Sequence, residues 1–303
     1  VKTVVCVCTY RRPESLRALL NSLTILTGAQ GIEIVVSDND AAGEGAAVCQ
    51  NLPADYPFTV HSLIEPQAGI SPARNAVVNK ALSLAPEFLA FLDDDERPST
   101  DWLSELLRIQ KETNADVVGG PTLSEFPAEV DDEQKNNPYF GADLGIADGA
   151  ACQLQAAGNF LIKASVIKTM APVIFLPEFA QSGGEDLAFF TQLAQNKATM
   201  HWAANAIVHE AVPANRLTQD WMKSRVINIA NSRVRVMQML EPGPKPALIR
   251  GLKTVALGTV AGLSTLLGVL LPSKREQARM LRWKFWGKLT AHLSIATTRG
   301  EGH

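Results

Sequence analysis

Through the first half of the chain, short β-branched runs alternate with stretches whose apolar residues recur every three to four positions. Residues 3–9 are rich in valine and too short for a helix, which predicts a strand buried on both faces. Residues 13–26 follow with Leu16, Leu19, Leu20 and Leu23 on one face of an amphipathic helix. The pattern continues with strands over 32–38, 59–64, 88–92 and 115–119 and helices over 45–52, 71–84 and 99–113. Ser71 is placed to cap the 71–84 helix, with Pro72 in its first position. Such alternation predicts an α/β domain, a mostly parallel sheet with helices on both faces. Residues 124–150 are polar and poorly periodic, as an active-site loop region would be. A strand over 156–162, a helix over 185–195 and a strand-and-loop stretch over 199–209 come next. From residue 217 onward the periodicity is helical, broken once at Pro242, Pro244 and Pro246. The expected division is therefore a catalytic domain of residues 1–215 and a helical region of residues 216–303.

Within that helical region, residues 254–271 carry no charge. At about 1.5 Å per residue the run spans roughly 27 Å, just short of a bilayer core of roughly 30 Å. Basic residues flank it on both sides: Lys245, Arg250 and Lys253 before, Lys274, Arg275 and Arg279 after. A simple span carries a one-sided bias, so an in-plane or re-entrant segment fits better. The following stretch mixes Arg282, Lys284 and Lys288 with Trp283, Phe285 and Trp286, which suits a headgroup region. A helical pair packed on the catalytic domain stays open as the alternative.

Charge sharpens this division. The net charge of −3 conceals an excess of +11 from residue 216 to the end against −14 in residues 1–215. A basic tail on an acidic body points to an anionic partner: a membrane surface, a phosphorylated substrate or nucleic acid. Nucleic acid is the weakest, because the tail's aromatics adjoin the long apolar run. The four cysteines show no CxxC spacing and read as small core residues of a reducing compartment. No signal-like segment precedes the first strand, so the main domain is expected to be cytoplasmic.

The chemistry-bearing residues gather where strands end. Phe91-Leu92 runs directly into Asp93-Asp94-Asp95-Glu96. Extended backbone would point Asp93 and Asp95 the same way, a pair able to hold Mg²⁺ or Mn²⁺ with shell positions left for phosphate oxygens. A solvated acidic loop is the plain alternative. Arg74 falls in the first turn of a helix, where the macrodipole disfavours a cation, so a phosphate or carboxylate partner is expected. Asp38 ends the second strand on the same sheet edge; it suits a base or ribose, or simply a turn. Gly183-Gly184-Glu185-Asp186 opens a helix, where acidic residues either cap or, on a glycine-flexible loop, act as a general base. His209 is a candidate third metal ligand or a structural histidine.

Taken in order, Cys8-Thr9-Tyr10-Arg11-Arg12-Pro13, Asp38, Ala73-Arg74-Asn75, Leu92-Asp93-Asp94-Asp95, Gly158-Asn159, Gly184-Glu185-Asp186 and Val208-His209-Glu210 resemble the family 2 glycosyltransferases of GT-A fold. The nearer likeness is to bacterial enzymes that build succinoglycan-type exopolysaccharides, down to the run from His209 to Arg216. The resemblance implies an inverting transfer from a nucleoside-diphosphate sugar, usually a UDP-sugar, to a lipid-linked saccharide at the cytoplasmic face of the inner membrane. It implies a nucleotide-sugar site of Thr9, Arg11, Asp38, Arg74, Asp93 and Asp94. It also implies a Mg²⁺ or Mn²⁺ site of Asp93, Asp95 and His209, with Asp95 the most direct ligand, and Asp186 as catalytic base. Candidate acceptor contacts are Glu185, Arg216, Trp221 and Arg225. Many relatives carry an arginine just after the base; residues 187–192 have none.

Two other readings compete. A nucleotidyltransferase would place a glycine-rich basic loop near the N-terminus, whereas residues 9–13 contain no glycine. A membrane-bound nucleotide-sugar sensor on the same fold would have lost the base, whereas Asp186 is present.

Overall fold

The computed structural model describes residues 1–28, 31–135, 137–170, 173–295 and 297, and leaves the side chains of residues 132 and 133 undescribed. The chain forms two compact units: Val1–Ala180 with Phe189–Val212, and Gln181–Ala188 with Pro213–His303.

The first unit contains, in chain order, β1 (Thr3–Thr9), α1 (Pro13–Leu23), β2 (Glu33–Asp38), α2 (Glu44–Gln50), β3 (Thr59–Ile64), α3 (Ile70–Ser83), β4 (Phe88–Asp93), β5 (Glu96–Pro98), α4 (Trp102–Thr113), β6 (Val117–Gly119) and β7 (Thr122–Glu125). It continues with α5 (Asp132–Lys135), β8 (Phe160–Lys163), α6 (Ala164–Lys168), most of α7 (Glu185–Gln195), β9 (Met200–Trp202) and β10 (Val208–Ala211). Seven strands form the main sheet in the order β3-β2-β1-β4-β8-β6-β9. Only β8 runs antiparallel to its neighbours β4 and β6.

Alternation along the strands explains the two layers of helix. Val5, Val7, Ile34, Val36, Ala90 and Leu92 face a core completed by the leucines of α1 and by Trp102, Leu103, Leu106 and Ile109 of α4. Their neighbours Val4, Cys6, Val35, Leu89 and Phe91 face the opposite core, with Val77, Val78 and Ala81 of α3 and Phe189, Phe190 and Leu193 of α7. Successive strand side chains point to opposite faces, so an unbroken valine run is what a sheet covered on both sides requires.

A second sheet of three short strands, β5-β10-β7, stands beside the first. Asn159 ties the region together. Its Nδ2 donates to the carbonyls of Pro121 (3.0 Å) and Ala206 (2.7 Å), and its Oδ1 accepts from Trp102 Nε1 at 2.8 Å.

The start of α3 differs from the expectation. Ser71 is not its cap: the helix begins at Ile70 after Gly69, and the buried Ser71 hydroxyl donates to the Leu176 carbonyl at 2.9 Å. Asn75 anchors the same segment, accepting from the amides of Ile174 and Phe175 and donating to the Phe175 carbonyl. Ser71 is needed by a partner distant in sequence, and that demand outweighs its capping preference.

Among its described residues the second unit holds the first turn of α7 and the long helices α8 (Gln219–Leu240), α9 (Pro244–Leu270) and α10 (Arg275–His292). Thr218 caps α8, its hydroxyl accepting from Trp221 N at 3.3 Å. α9 starts at Pro244, so both Pro244 and Pro246 lie in a first turn whose amides have no intrahelical acceptor. α10 packs against both α8 and α9. The crossing with α8 is close: a Cβ on Gly287 would stand 2.3 Å from the Ile227 carbonyl oxygen. The fully buried Asn231 of α8 donates to Thr290 Oγ1 at 3.0 Å and to the Ile295 carbonyl at 2.9 Å.

Replacing Asn159 by alanine leaves two carbonyls and an indole N–H buried without that partner. The variant is expected to lose about 3 kcal/mol of stability, seen as a lower urea midpoint at unchanged slope.

Candidate functional site

Because β1, β2 and β4 are parallel and in register, their carboxyl ends arrive together: Thr9 lies opposite Asp38, and Cys8 opposite Asp93. Ligands of open α/β sheets gather at such an edge. Strand β4 stops at Asp93, and Asp94-Asp95 form a turn into β5. The strand-like alternation expected for Asp93 and Asp95 therefore does not occur. The turn instead gives the carboxylates different partners: Asp94 and Asp95 share Arg12, and Asp93 meets Arg74.

Asp94 points inward and is buried. It accepts from Thr9 Oγ1 at 2.7 Å and from Arg12 Nη1 at 3.2 Å. The same Arg12 nitrogen donates to Asp95 Oδ2 at 3.0 Å. Asp93, about half exposed, lies 3.4 Å from Nη2 of the buried Arg74. Burial pushes the Asp94 carboxyl up to about 6; Arg12 opposes the shift, the charge of Asp95 adds to it, the Thr9 hydrogen bond opposes it and Asp93 adds again. Glu96 closes the turn. Its Oε2 accepts from the Asp93 amide at 2.9 Å and its Oε1 from the Thr122 hydroxyl at 3.3 Å. Burial, then the charge of Asp93, with smaller contributions from Glu210 and Asp95, holds Glu96 well above the ordinary carboxylate value, against the pull of the Asp93 amide. Gly158 leaves room for it, since a Cβ there would stand 2.5 Å from Glu96 Oε1.

Arg74 has the partner its position demanded: the chain supplies the carboxylate of Asp93, and the Phe175 ring lies 5.5 Å beneath the guanidinium. Asp38 is engaged locally, with Oδ1 accepting from the Asp40 amide and Oδ2 from the Ala46 amide, both at 3.0 Å. Arg11 has a left-handed backbone (φ 54°) that turns its side chain outward, to Asp40 at 3.2 Å and over the Tyr10 ring. Arg12 instead reaches the acidic turn, a role not assigned to it from sequence. The usable signal was Pro13, which starts α1 and keeps the backbone of the preceding residue out of the helix. Asn39 was also missed. It joins the end of β2 to the loop before α3, donating to the Glu65 and Gln67 carbonyls and accepting from the Gly69 amide.

His209 lies in the small sheet, opposite Arg97 and Leu123, with Nδ1 3.2 Å from Glu125 Oε1. Its neighbour Glu210 stands opposite Glu96. Among the described residues no three His, Cys, Asp or Glu side chains converge as a ready-made metal cage.

In the second unit, Asp186 is the second residue of α7, which follows two glycines with positive φ, Gly183 (73°) and Gly184 (102°). Its Oδ1 accepts from the Leu187 amide at 2.7 Å, and the adjacent Glu185 is fully buried. Two residues of α8 hold the loop ahead of it: Arg235 Nη1 donates to Ser182 Oγ at 2.7 Å, and the Ser232 hydroxyl donates to the Ser182 carbonyl at 3.3 Å. Arg216 lies in a short 3₁₀ turn, Ala214–Leu217, and the Arg225 guanidinium stacks 5.8 Å from the Trp221 ring.

A doubly covered, mostly parallel sheet with an acidic turn at its carboxyl edge is a GT-A glycosyltransferase domain. Solved structures agree on the fold. The mannosyltransferase PcManGT from Pyrobaculum calidifontis, in complex with GDP-Man and Mn²⁺, superposes with a TM-score of 0.65 at 14% identity, over 97% of this chain and 87% of that one. S. aureus TarS 1-349 in complex with UDP gives 0.55 at 15% identity, over 97% and 92%. The chain belongs to glycosyl transferase family 2, whose model matches residues 4–170. It is also 31% identical over 238 residues to the succinoglycan biosynthesis protein ExoM of Rhizobium meliloti (strain 1021), covering 76% of this chain and 74% of that protein.

The raised Asp94 value has a signed consequence. The neutral carboxyl favours the fold fully below about 3.8, and that contribution is lost as pH rises through about 6. Asp94→Asn keeps an acceptor for Thr9 and removes the titration. In metal-free buffer its stability relative to the parent should therefore rise between pH 4 and 7, by on the order of 2–3 kcal/mol, and level off above. Urea midpoints across that range measure it; a flat difference would refute the assignment.

Proposed function

We propose that this glycosyltransferase moves a sugar, with inversion, from a nucleoside-diphosphate sugar to a lipid-linked saccharide in exopolysaccharide synthesis, at the cytoplasmic face of the bacterial inner membrane. UDP-sugars are the first donors to test. The observation that carries the reading is the acidic turn gripped by Arg12 and Arg74 at the carboxyl edge of β1, β2 and β4. The likeness to a succinoglycan biosynthesis protein supports the pathway, and the GDP-Man and UDP held by solved relatives support the donor class. The apolar helix α9 supports a membrane-borne acceptor.

In this reading Thr9, Arg11, Asp38, Asp94 and Arg74 line the donor. Arg74 is already directed at a carboxylate, so a diphosphate can take over its charge-assisted hydrogen bonding. Asp93 and Asp95 offer the hard oxygen donors that Mg²⁺ and Mn²⁺ prefer. An ion held there would supply neutralisation of the leaving diphosphate. His209 joins that shell only by giving up Glu125. Asp94 is the least suited to ligation, since both of its oxygens serve Thr9 and Arg12.

Asp186 takes the proton of the acceptor hydroxyl as that oxygen attacks C1 of the sugar. The new C1–O bond forms as the C1–O bond to phosphate breaks on the opposite face, and the nucleoside diphosphate leaves with the bonding pair. One displacement inverts the centre. Arg216, Trp221 and Arg225 offer cationic and aromatic contacts for the acceptor's diphosphate and sugar, beside Glu185.

The test measures nucleoside diphosphate released from a panel of UDP- and GDP-sugars, with a membrane lipid extract as acceptor. Asp95→Ala and EDTA should each abolish transfer, with Mn²⁺ or Mg²⁺ restoring the chelated parent; full activity in EDTA removes the metal from the mechanism. Asp186→Asn should lower kcat by at least about 10²-fold while donor KM moves less than about threefold. Near-normal turnover would assign the proton to another group.

A further inference from the structure

We propose that α9 lies in the plane of an anionic lipid leaflet, its outer face among the acyl chains, and does not cross the bilayer. This deepens the reading of a membrane-borne acceptor by giving the mode of attachment.

By length and composition alone, α9 could cross a membrane: it has 27 residues and a mean hydropathy of 1.5 in its most apolar window. Its surroundings argue otherwise. One face is made of small residues and is covered. Thr254, Ala261 and Gly268, seven apart, are buried, and the Phe285 ring fills the space at Gly258. The other face is apolar and bare: Val255, Val260, Leu263, Leu266, Val269 and Leu270 are 49–76% exposed.

The covering element is α10, running antiparallel along the whole uncharged stretch. Gly268 meets Arg275 and Ala278, Gly258 meets Phe285, and Thr254 Oγ1 lies 3.1 Å from His292 Nε2. Between those contacts α10 carries Glu276, Arg279, Arg282, Lys284 and Lys288. A crossing α9 would draw this row of charges through the hydrocarbon beside it, where each is costly. The bond from Arg279 to Gln219 would bring α8 as well. Lying in the plane requires none of this, because the bare face alone enters the lipid.

Charge selects lipid over a second copy of the chain. From residue 216 onward the excess is +11. Arg233 of α8, Lys253 of α9 and Lys284 and Lys288 of α10 are close enough to act on one another: burial first, then these three neighbours, push the Lys288 ammonium down from its ordinary value. Anionic headgroups relieve that repulsion; apposing two such units doubles it. Trp286, 55% exposed on α10, is the residue type favoured at a membrane–water interface.

The experiment uses the full chain. Sedimentation with vesicles of phosphatidylcholine, alone or with phosphatidylglycerol, should show binding that needs the anionic lipid and weakens with salt. Leu263→Asp and Leu266→Asp, both at exposed positions, should keep the native circular dichroism and lower vesicle affinity by at least about 10-fold. A fluorescent label is then placed at Val255→Cys, Leu263→Cys and Leu270→Cys, in a background with Cys8, Cys49 and Cys152 changed to alanine. All three labels should show one shallow depth and equal access to a quencher added outside. One end shielded in the vesicle lumen with the middle deep would establish a span and overturn the proposal. So would protein that stays in the supernatant with anionic vesicles, or a lipid-free dimer abolished by Leu263→Asp. Vesicle binding is read without any transfer assay, so loss of the enzymatic reading and loss of this one are separate results.

Discussion

Carboxylates held at the end of a buried strand must be matched by cations, and much of the catalytic unit's edge follows from that requirement. Residues 93–96 put four acidic groups into one turn, two of them, Asp94 and Glu96, buried. Arg12 answers Asp94 and Asp95, Arg74 answers Asp93, and the Thr9 and Thr122 hydroxyls and the Asp93 amide satisfy remaining oxygens. Each side-chain partner is delivered by a different element: β1, the entry to α1, the first turns of α3 and the start of β7. Burial first, and then the neighbouring carboxylates that these cations do not fully offset, hold Asp94 and Glu96 above the ordinary carboxylate value. An edge with surplus negative charge and two engaged arginines is suited to a ligand that brings both phosphate and a cation.

The strands of the main sheet were legible because burial on both faces leaves little freedom of composition. Residues 3–9 and 59–64 have the same limits in sequence and structure, and most of the others shift by one or two positions. The small sheet was legible only in part. The end of the strand-and-loop stretch read over 199–209 enters β10, whereas β5 and β7 are three and four residues with charged and polar members, and only long-range pairing distinguishes them from loop. Asn159 was quoted in a motif, yet its bonds to Trp102, Pro121 and Ala206 lie 38 to 57 residues away in sequence and cannot be read locally.

The site was legible in residue type and less so in geometry. Placing Asp93 and Asp95 on one side assumed that β4 continues, but the chain turns after Asp93 because Glu96 captures the Asp93 amide. Arg12 had no role in the sequence reading, which placed Arg11 at the nucleotide; a positive φ at Arg11 directs that side chain to Asp40, and its neighbour Arg12 meets the acidic turn. Arg74 was found by a more durable argument. A cation near a helix start needs a partner whatever the surroundings, and Asp93 is that partner.

In the second unit α9 is built inside out. Glycine, alanine and threonine meet at the unit's crossings, at Gly258, Gly268, Gly287 and Thr290, while the leucines and valines of α9 named above face outward and the valines of α8, Val226, Val234 and Val236, are buried. Cohesion at those crossings draws on close backbone approach and on buried hydrogen bonds such as Asn231 to Thr290. Contacts between small residues keep their value when the solvent on the far side changes. The bare face of α9 can therefore exchange water for hydrocarbon while its covered face keeps the same contacts with α10.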